Sequence, residues 1–240
     1  MKIKRVAIAP NPRKPWAHRI ARELRRFLAR RGISVTHARQ HADLLIAIGG
    51  DGTILHEREH CNLPIFGIGS RTSYVCQARK ENWKPRLSAA LARPRLEKRM
   101  LLSGTLNGKR LQDAMNEIFI RNSDYRVLEF GLRINGSRFK FTADGVIFST
   151  PTGSTAYAYS AGGRELKPTA SKYEVVALAP YRRGFKPLLV DASQRCTLTV
   201  HTTYPAIAVI DGQFCHGLKT GRNTLVVKTS STSALLLQSR

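Results

Sequence analysis

The sequence predicts an N-terminal α/β domain of the doubly wound, Rossmann-like kind over residues 1–95, packed on a C-terminal, mainly β, sandwich-like domain over residues 96–240. Three observations lead there. Apolar runs of strand length alternate with helical spacing as far as Leu91. Beyond Pro94 the runs become short, alternating and punctuated by turn signals. Two glycine turns follow buried-strand patterns in the first part, at the strand ends where open α/β sheets bind ligands.

In chain order, Val6 to Ala9 reads as a short buried strand closed by Pro10-Asn11-Pro12. Trp16 to Arg31 places Ile20, Leu24, Phe27 and Leu28 on one helical face, with arginine covering most of the other, and Gly32 ends the helix. Ile33 to Thr36 and Leu44 to Ile48 are further strands, the second apolar on both faces as a covered parallel strand must be. Pro64 to Gly69 is a fourth strand, and Asn82 to Leu91 a helix with Pro85 near its start. Past residue 95 the strand patterns are Lys98 to Leu106, Leu111 to Arg121, Val127 to Ile134, Phe139 to Phe148, Val175 to Ala179, Leu188 to Val190, Cys196 to Thr202, Ala206 to Ile210, Thr224 to Lys228 and Ala234 to Gln238. Asn107-Gly108 and Asn135-Gly136 fall between alternating runs, the strongest short hairpin signal.

Charge is the unusual feature of the composition. Lys and Arg number 40 against 16 Asp and Glu, a formal net charge of +24. Such a surplus favours anionic partners without choosing among nucleotides, polyphosphate, nucleic acid and acidic membrane surfaces. No aromatic interleaving or nucleic-acid motif accompanies the basic residues, so nucleic acid is expected to bind only non-specifically. Cys61, Cys76, Cys196 and Cys215 form no C-x-x-C pair, which suits a reducing compartment. No apolar run approaches the ~18 residues of a membrane span, so a soluble, cytoplasmic protein is expected.

Three stretches carry chemistry. Gly49-Gly50-Asp51-Gly52-Thr53 follows the third strand. Its glycines let backbone N–H groups approach a phosphate chain. Phosphates repel its lone acid unless a metal or an acceptor hydroxyl sits between, which points to phosphoryl transfer onto a hydroxyl. Asn116-Glu117 sets an amide and a carboxylate on opposite faces of an apolar strand pattern, so one of them faces inward and needs a partner. Asp144 to Tyr157 empties a buried strand into a turn with Ser149, Thr150, Thr152, Ser154 and Thr155, read equally as a nucleotide-binding turn and as a capping turn. His56-Glu57-Arg58-Glu59-His60 satisfies H-E-x-x-H, but its charged setting and missing third ligand make it a solvated helix face, and no metal-ligand set is expected. No G-x-S-x-G elbow supports a hydrolase.

Gly49-Gly50-Asp51-Gly52-Thr53, then Asn116-Glu117, then Thr150 to Tyr157 with Ser160-Ala161-Gly162-Gly163, in that order, resemble the ATP-NAD kinase family. The first motif is shared with lipid kinases and phosphofructokinases; the hydroxyl-rich run is far more specific. Glu97 to Leu102, Phe185 to Leu188 and Ile210 to Gln213 extend the resemblance over most of the chain. It implies transfer of a phosphoryl group from ATP, or another donor, with Mg²⁺, to the adenosine 2′-hydroxyl of NAD. Asp51 would be the general base, Gly50, Gly52 and Thr53 the donor-phosphate residues. Asn116 and Glu117 would hold the NAD ribose and adenine, Asp144 the nicotinamide-side ribose, and Thr152, Ser154, Thr155 and Tyr157 the adenine end. A homodimer or homotetramer is implied as well. Two departures stand out: Gly67 to Val75 replaces the family's G-I-N…L-G-F-L loop, and Pro180-Tyr181-Arg182 stands where members often carry P-H-S. The altered loop leaves open a kinase for another hydroxyl, on a nucleoside, polyol or lipid head group. A non-catalytic nucleotide- or nucleic-acid-binding protein is the alternative of another class.

Overall fold

A computed structural model describes residues 2–124 and 126–238. The chain divides into two compact units, Met1–Lys98 with Ala234–Arg240, and Arg99–Ser233. In the first, β1 (Arg5–Pro10), β2 (Ser34–Val35), β3 (Leu44–Ile48) and β4 (Ile65–Gly69) lie parallel in the order β2-β1-β3-β4. All residues of β3 and β4 are buried, as their unbroken apolar sequence demands. Helix α1 (Pro15–Ala29) starts on a proline, whose fixed φ suits the first helical position, and buries Ile20, Leu24 and Leu28 against the sheet. Helix α2 (Asp51–His60) follows β3, and the short strand β5 (Ala78–Arg79) pairs with the end of β4 before α3 (Trp83–Ala92).

The second unit is a sandwich. Its first sheet includes β6 (Arg95–Leu106), the two-residue β7 (Lys109–Arg110), β9 (Leu128–Ile134), β10 (Ser137–Ala143), β14 (Cys196–Thr202) and part of β17 (Gly221–Gln238). The second, ordered β13-β12-β11-β8-β15-β16, is built from β8 (Glu117–Asn122), β11 (Gly145–Ser149), β12 (Lys172–Leu178), β13 (Leu188–Asp191), β15 (Ala206–Ile210) and β16 (Phe214–Gly217). Inward residues of both sheets, among them Ile118, Phe130, Leu132, Phe148, Tyr173, Leu198 and Leu225, share one core. The one-turn helix α4 (Tyr157–Ser160) places Ala158 against Ile147 and Val176 on the other face of the second sheet.

Both Asn-Gly turns form as expected, with φ of 49° and 83° at Asn107 and Gly108 and of 43° and 82° at Asn135 and Gly136. Other expectations are corrected. Leu111 to Asn116 is not strand, because the backbone N–H groups of Met115 and Asn116 turn to a side chain instead of a neighbouring strand. The run Phe139 to Phe148 is two strands, since Asp144 marks where the chain leaves one sheet for the other. A Cβ at Gly145 would meet Leu178 Cδ1 at 2.9 Å and Arg121 Cα at 3.1 Å, so this crossing demands glycine. The two last strand patterns are one continuous strand, β17, and β16 carries no pattern the sequence makes visible.

Candidate functional site

In the first unit the carboxyl ends of β1 and β3 lie side by side, Pro10 opposite Ile48. The chain leaves β3 through Gly49 and Gly50, with φ of 159° and 117°; the second conformation, at ψ −173°, is essentially restricted to glycine. A Cβ on Gly49 would collide with Asn11 Cβ at 2.5 Å. The glycine turn is shorter than the sequence suggests, because α2 begins at Asp51. Gly52 and Thr53 therefore lie in the first helical turn, where the helix dipole favours an anion, although the Thr53 N–H itself donates to Gly50 O at 3.0 Å. Asn11 receives the loop into this arrangement: its N–H donates to Ile48 O at 2.7 Å and its Nδ2 to Thr53 Oγ1 at 3.1 Å.

Asp51 is gripped by the loop whose sequence departs from the family pattern. Its Oδ2 accepts the N–H of Tyr74 at 2.7 Å, and its Oδ1 accepts those of Val75 at 3.0 Å and Cys76 at 3.2 Å. The loop is itself braced. Ser73 Oγ accepts the N–H of Ser70 at 3.1 Å, and buried Gln77 accepts that of Gly67 at 2.6 Å while donating to Val75 O at 2.7 Å. Burial, and next the negative charge of Asp51, push the Cys76 thiol far above the ordinary thiol range. Tyr74, 78% exposed, stands at the loop's tip.

A residue that sequence reasoning missed lies against the same turn. Lys14 Nζ donates to the Gly49 carbonyl. A Cβ built on Gly50 would sit 3.6 Å from that ammonium and 3.2 Å from Ser73 Oγ, so the glycine opens a notch walled by a cation and a hydroxyl. No motif marks it in the sequence; the register of two parallel strands sets the 11–14 loop beside the 49–53 turn.

In the second unit Asn116 and Glu117 meet the hydroxyl-rich turn. Thr150 N–H donates to Asn116 O at 2.8 Å, and Thr150 Oγ1 donates to Met115 O at 2.6 Å while accepting the Gly153 N–H at 3.0 Å. A Cβ on Gly153 would lie 2.6 Å from Asn116 Cα, so only glycine permits this approach. Asp211, also missed as a site residue, accepts the N–H groups of Met115 at 2.8 Å, Asn116 at 2.7 Å and Glu117 at 3.0 Å. Its own φ of 51° is one that aspartate tolerates better than most residues. Two buried acceptors stay without a hydrogen-bond partner among the described residues, Asn116 Oδ1 and Glu117 Oε2. Burial, then the negative charge of Asp211, raise the Glu117 pKa to about 8, so this side chain holds a proton at neutral pH.

The remaining candidates separate by environment. Ser154 is spent inside the turn, donating to Pro151 O at 2.8 Å and accepting the Leu166 N–H at 2.9 Å. Thr152 is buried, with Arg99 Nη1 3.4 Å from its hydroxyl. Thr155 is only partly buried, and Tyr157 is exposed with its ring edge-on to Phe119 at 5.3 Å between centroids. Asp144 is not brought to this group, because it precedes β11 beside Asn122 while Glu117 pairs with Ser149 at the strand's other end. The His56 and His60 rings pack edge-on at 4.7 Å on α2, with Glu57 bound to Arg39 at 2.6 Å.

Glycines at a helix start favour an anion, and a carboxylate fixed among them has a use where a hydroxyl is to be activated. That places the chain among phosphotransferases with an alcohol group as acceptor. Residues 115–238 match the family model of the ATP-NAD kinase C-terminal domain. An NAD kinase of Methanospirillum hungatei is 38% identical over 200 residues, covering 81% of this chain and 74% of its own. An NAD kinase of Treponema denticola is 32% identical over 238 residues, covering 88% and 83%. Among solved structures, an NAD kinase from Archaeoglobus fulgidus in complex with ATP superimposes with a TM-score of 0.84 at 25% identity over 98% of this chain and 94% of that one. A yeast NADH kinase complexed with NADH shares the fold, with a TM-score of 0.87 at 20% identity over 100% and 84%. The chain belongs to the ATP-NAD kinase family.

Proposed function

We propose that the chain is an NAD kinase that moves the terminal phosphoryl group of ATP onto the adenosine 2′-hydroxyl of NAD, forming NADP. The observation that carries this reading is the Asp51 carboxylate, held by three backbone N–H groups at the start of α2. In this reading the first helical turn at Gly52 and Thr53, reached through the notch at Gly50, receives the donor phosphates. Asp51 accepts the proton of the attacking hydroxyl through Oδ2, the oxygen with more acceptor capacity left. Positioning and electrostatics supply most of the rate in such transfers. Asn116 Oδ1 and Glu117 Oε2, buried and without hydrogen-bond partners among the described residues, support a role in hydrogen bonding to the nucleotide, with Thr155 and Tyr157 at its adenine end. Thr152 and Ser154 shape that turn from within, and Asp144 acts away from this group, on the nicotinamide-side ribose.

Among the described residues, no set of three or more His, Cys, Asp or Glu is arranged to hold a metal. Mg²⁺ in this reading enters with ATP, carried on the triphosphate, where it neutralises developing charge. The chain further works as a homodimer or homotetramer in the cytoplasm, and light scattering on the purified protein reads the first of these. Incubation with NAD, ATP and Mg²⁺ followed by assay for NADP tests the activity. Absence of NADP with every phosphoryl donor tried transfers the assignment to a kinase of another hydroxyl.

A further inference from the structure

The glycine turn has a charge problem. Its only ionised side chain is Asp51, and a triphosphate brought to the N-terminus of α2 adds several more negative charges. Backbone N–H groups and a helix dipole supply partial positive charge only. Mg²⁺ carried on the triphosphate would offset only part of this charge; a cation of the protein close to Gly50 would offset more, and no residue of the 49–53 motif provides one. The notch at Gly50 has Lys14 as one wall, its ammonium already bound to the Gly49 carbonyl. An ammonium carries three donors, so that bond leaves two for a ligand. The placement is enforced from both ends. Asn11 ties the loop to β3 and Thr53, and Pro15 begins α1 directly after Lys14.

We propose that Lys14 is the cation of the donor-phosphate site, binding a non-bridging oxygen of the triphosphate in the notch at Gly50. This deepens the kinase reading and rests on its assignment of the glycine turn to the donor. The competing role is structural: Lys14 would hold the glycine turn in shape through Gly49 O and touch no ligand. The two roles differ in what they do to ligands of different charge. A phosphate ligand loses affinity in proportion to the phosphates it carries, whereas a turn that has lost its shape loses affinity for the whole nucleotide, adenosine included.

The experiment measures binding of Mg·ATP, AMP and adenosine to the full-length protein by equilibrium titration, with no acceptor present. Lys14→Gln keeps length and a donor but removes the charge, and Lys14→Arg keeps the charge. For Lys14→Gln, Mg·ATP affinity falls at least about tenfold, the scale of a lost charge-assisted hydrogen bond. AMP falls less and adenosine stays within about twofold. Lys14→Arg retains most of the Mg·ATP affinity, and neither variant changes the KM for NAD. Equal losses for Mg·ATP and adenosine, or a loss of Mg·ATP affinity below about twofold, overturn the proposal. So does a wild-type chain that binds no Mg·ATP. If Lys14→Gln does not fold, Lys14→Met is measured in its place: a loss of Mg·ATP affinity of at least about tenfold with adenosine within about twofold supports the proposal, and equal losses for both ligands or a Mg·ATP loss below about twofold overturns it. Binding that follows these expectations in a protein that makes no NADP leaves Lys14 in place and removes the acceptor assignment, so the two failures are separable.

Discussion

Two aspartates in this chain are held in the same way and stand in different surroundings. Asp51 accepts the N–H groups of the consecutive residues Tyr74, Val75 and Cys76, and Asp211 those of Met115, Asn116 and Glu117. Asp211 is 5% exposed and faces protein, and its charge contributes to keeping Glu117 protonated. Asp51 is half-buried, opens onto two glycines with positive φ and has Lys14 across the turn. The grip is the same, so in the proposed mechanism the grip is not what sets Asp51 apart. What lies on the side left open differs: a neighbouring acid in one case, two glycines and an ammonium in the other.

Substitutions can break this contrast. The largest effect is expected from Asp51→Asn, which keeps shape but removes basicity: turnover falls by at least ~10²-fold, the lower end of general-base contributions. A steady-state assay with unchanged turnover would take Asp51 out of the mechanism. Asp211→Asn should act on stability first, costing about 2–3 kcal/mol in a denaturant titration because buried, charge-assisted bonds are weakened. A cost under about 0.5 kcal/mol would mean that the grip on residues 115–117 is dispensable. Gly153→Ala presses a Cβ onto the Asn116 backbone. Overpacking of this kind costs about 1–3 kcal/mol, and NAD affinity should fall with it, whereas ATP affinity should not.

The most gradual effect concerns pH. The folded pKa of Glu117 is raised from 4.5 to about 8, so across that range the folded chain keeps a proton that the unfolded chain has released. Ionisation of the unfolded state then favours unfolding, and stability falls as pH rises towards 8. Glu117→Gln removes this term, so its advantage over wild type should grow by roughly 1 kcal/mol per pH unit between about pH 5 and pH 8. Parallel stability curves for the two proteins would show that Glu117 titrates normally.

Local features of the chain were readable before the structure: the buried strand before Gly49, both Asn-Gly turns and the order of the chemical stretches. What escaped was decided by long-range pairing. The loop at Tyr74 to Cys76 bears no motif, and only its position over α2 makes it the holder of Asp51. Lys14 is one cation among 40 basic residues, and the parallel register of β1 and β3 singles it out. Thr229 to Ser233, the gap between the last two expected strands, continues as strand through the middle of β17. The hydroxyl-rich turn was half legible: its residue types suggested ligand contacts, but Ser154 spends its hydroxyl on the turn itself.

Strand β17 has a consequence for how the protein is made. The first half of β4 faces β3 on one side and, at Ile65, Leu236 on the other. Residues 1–98 leave the ribosome well ahead of residue 236, so during synthesis that edge of an otherwise finished α/β unit stands open. Open, apolar strand edges are templates for pairing with other chains, and the interval lasts until residues 99–233 have been translated. Chains cut short before Ala234 keep that edge permanently, so premature termination even a few residues from Gln238 should yield aggregates in place of a slightly weakened protein.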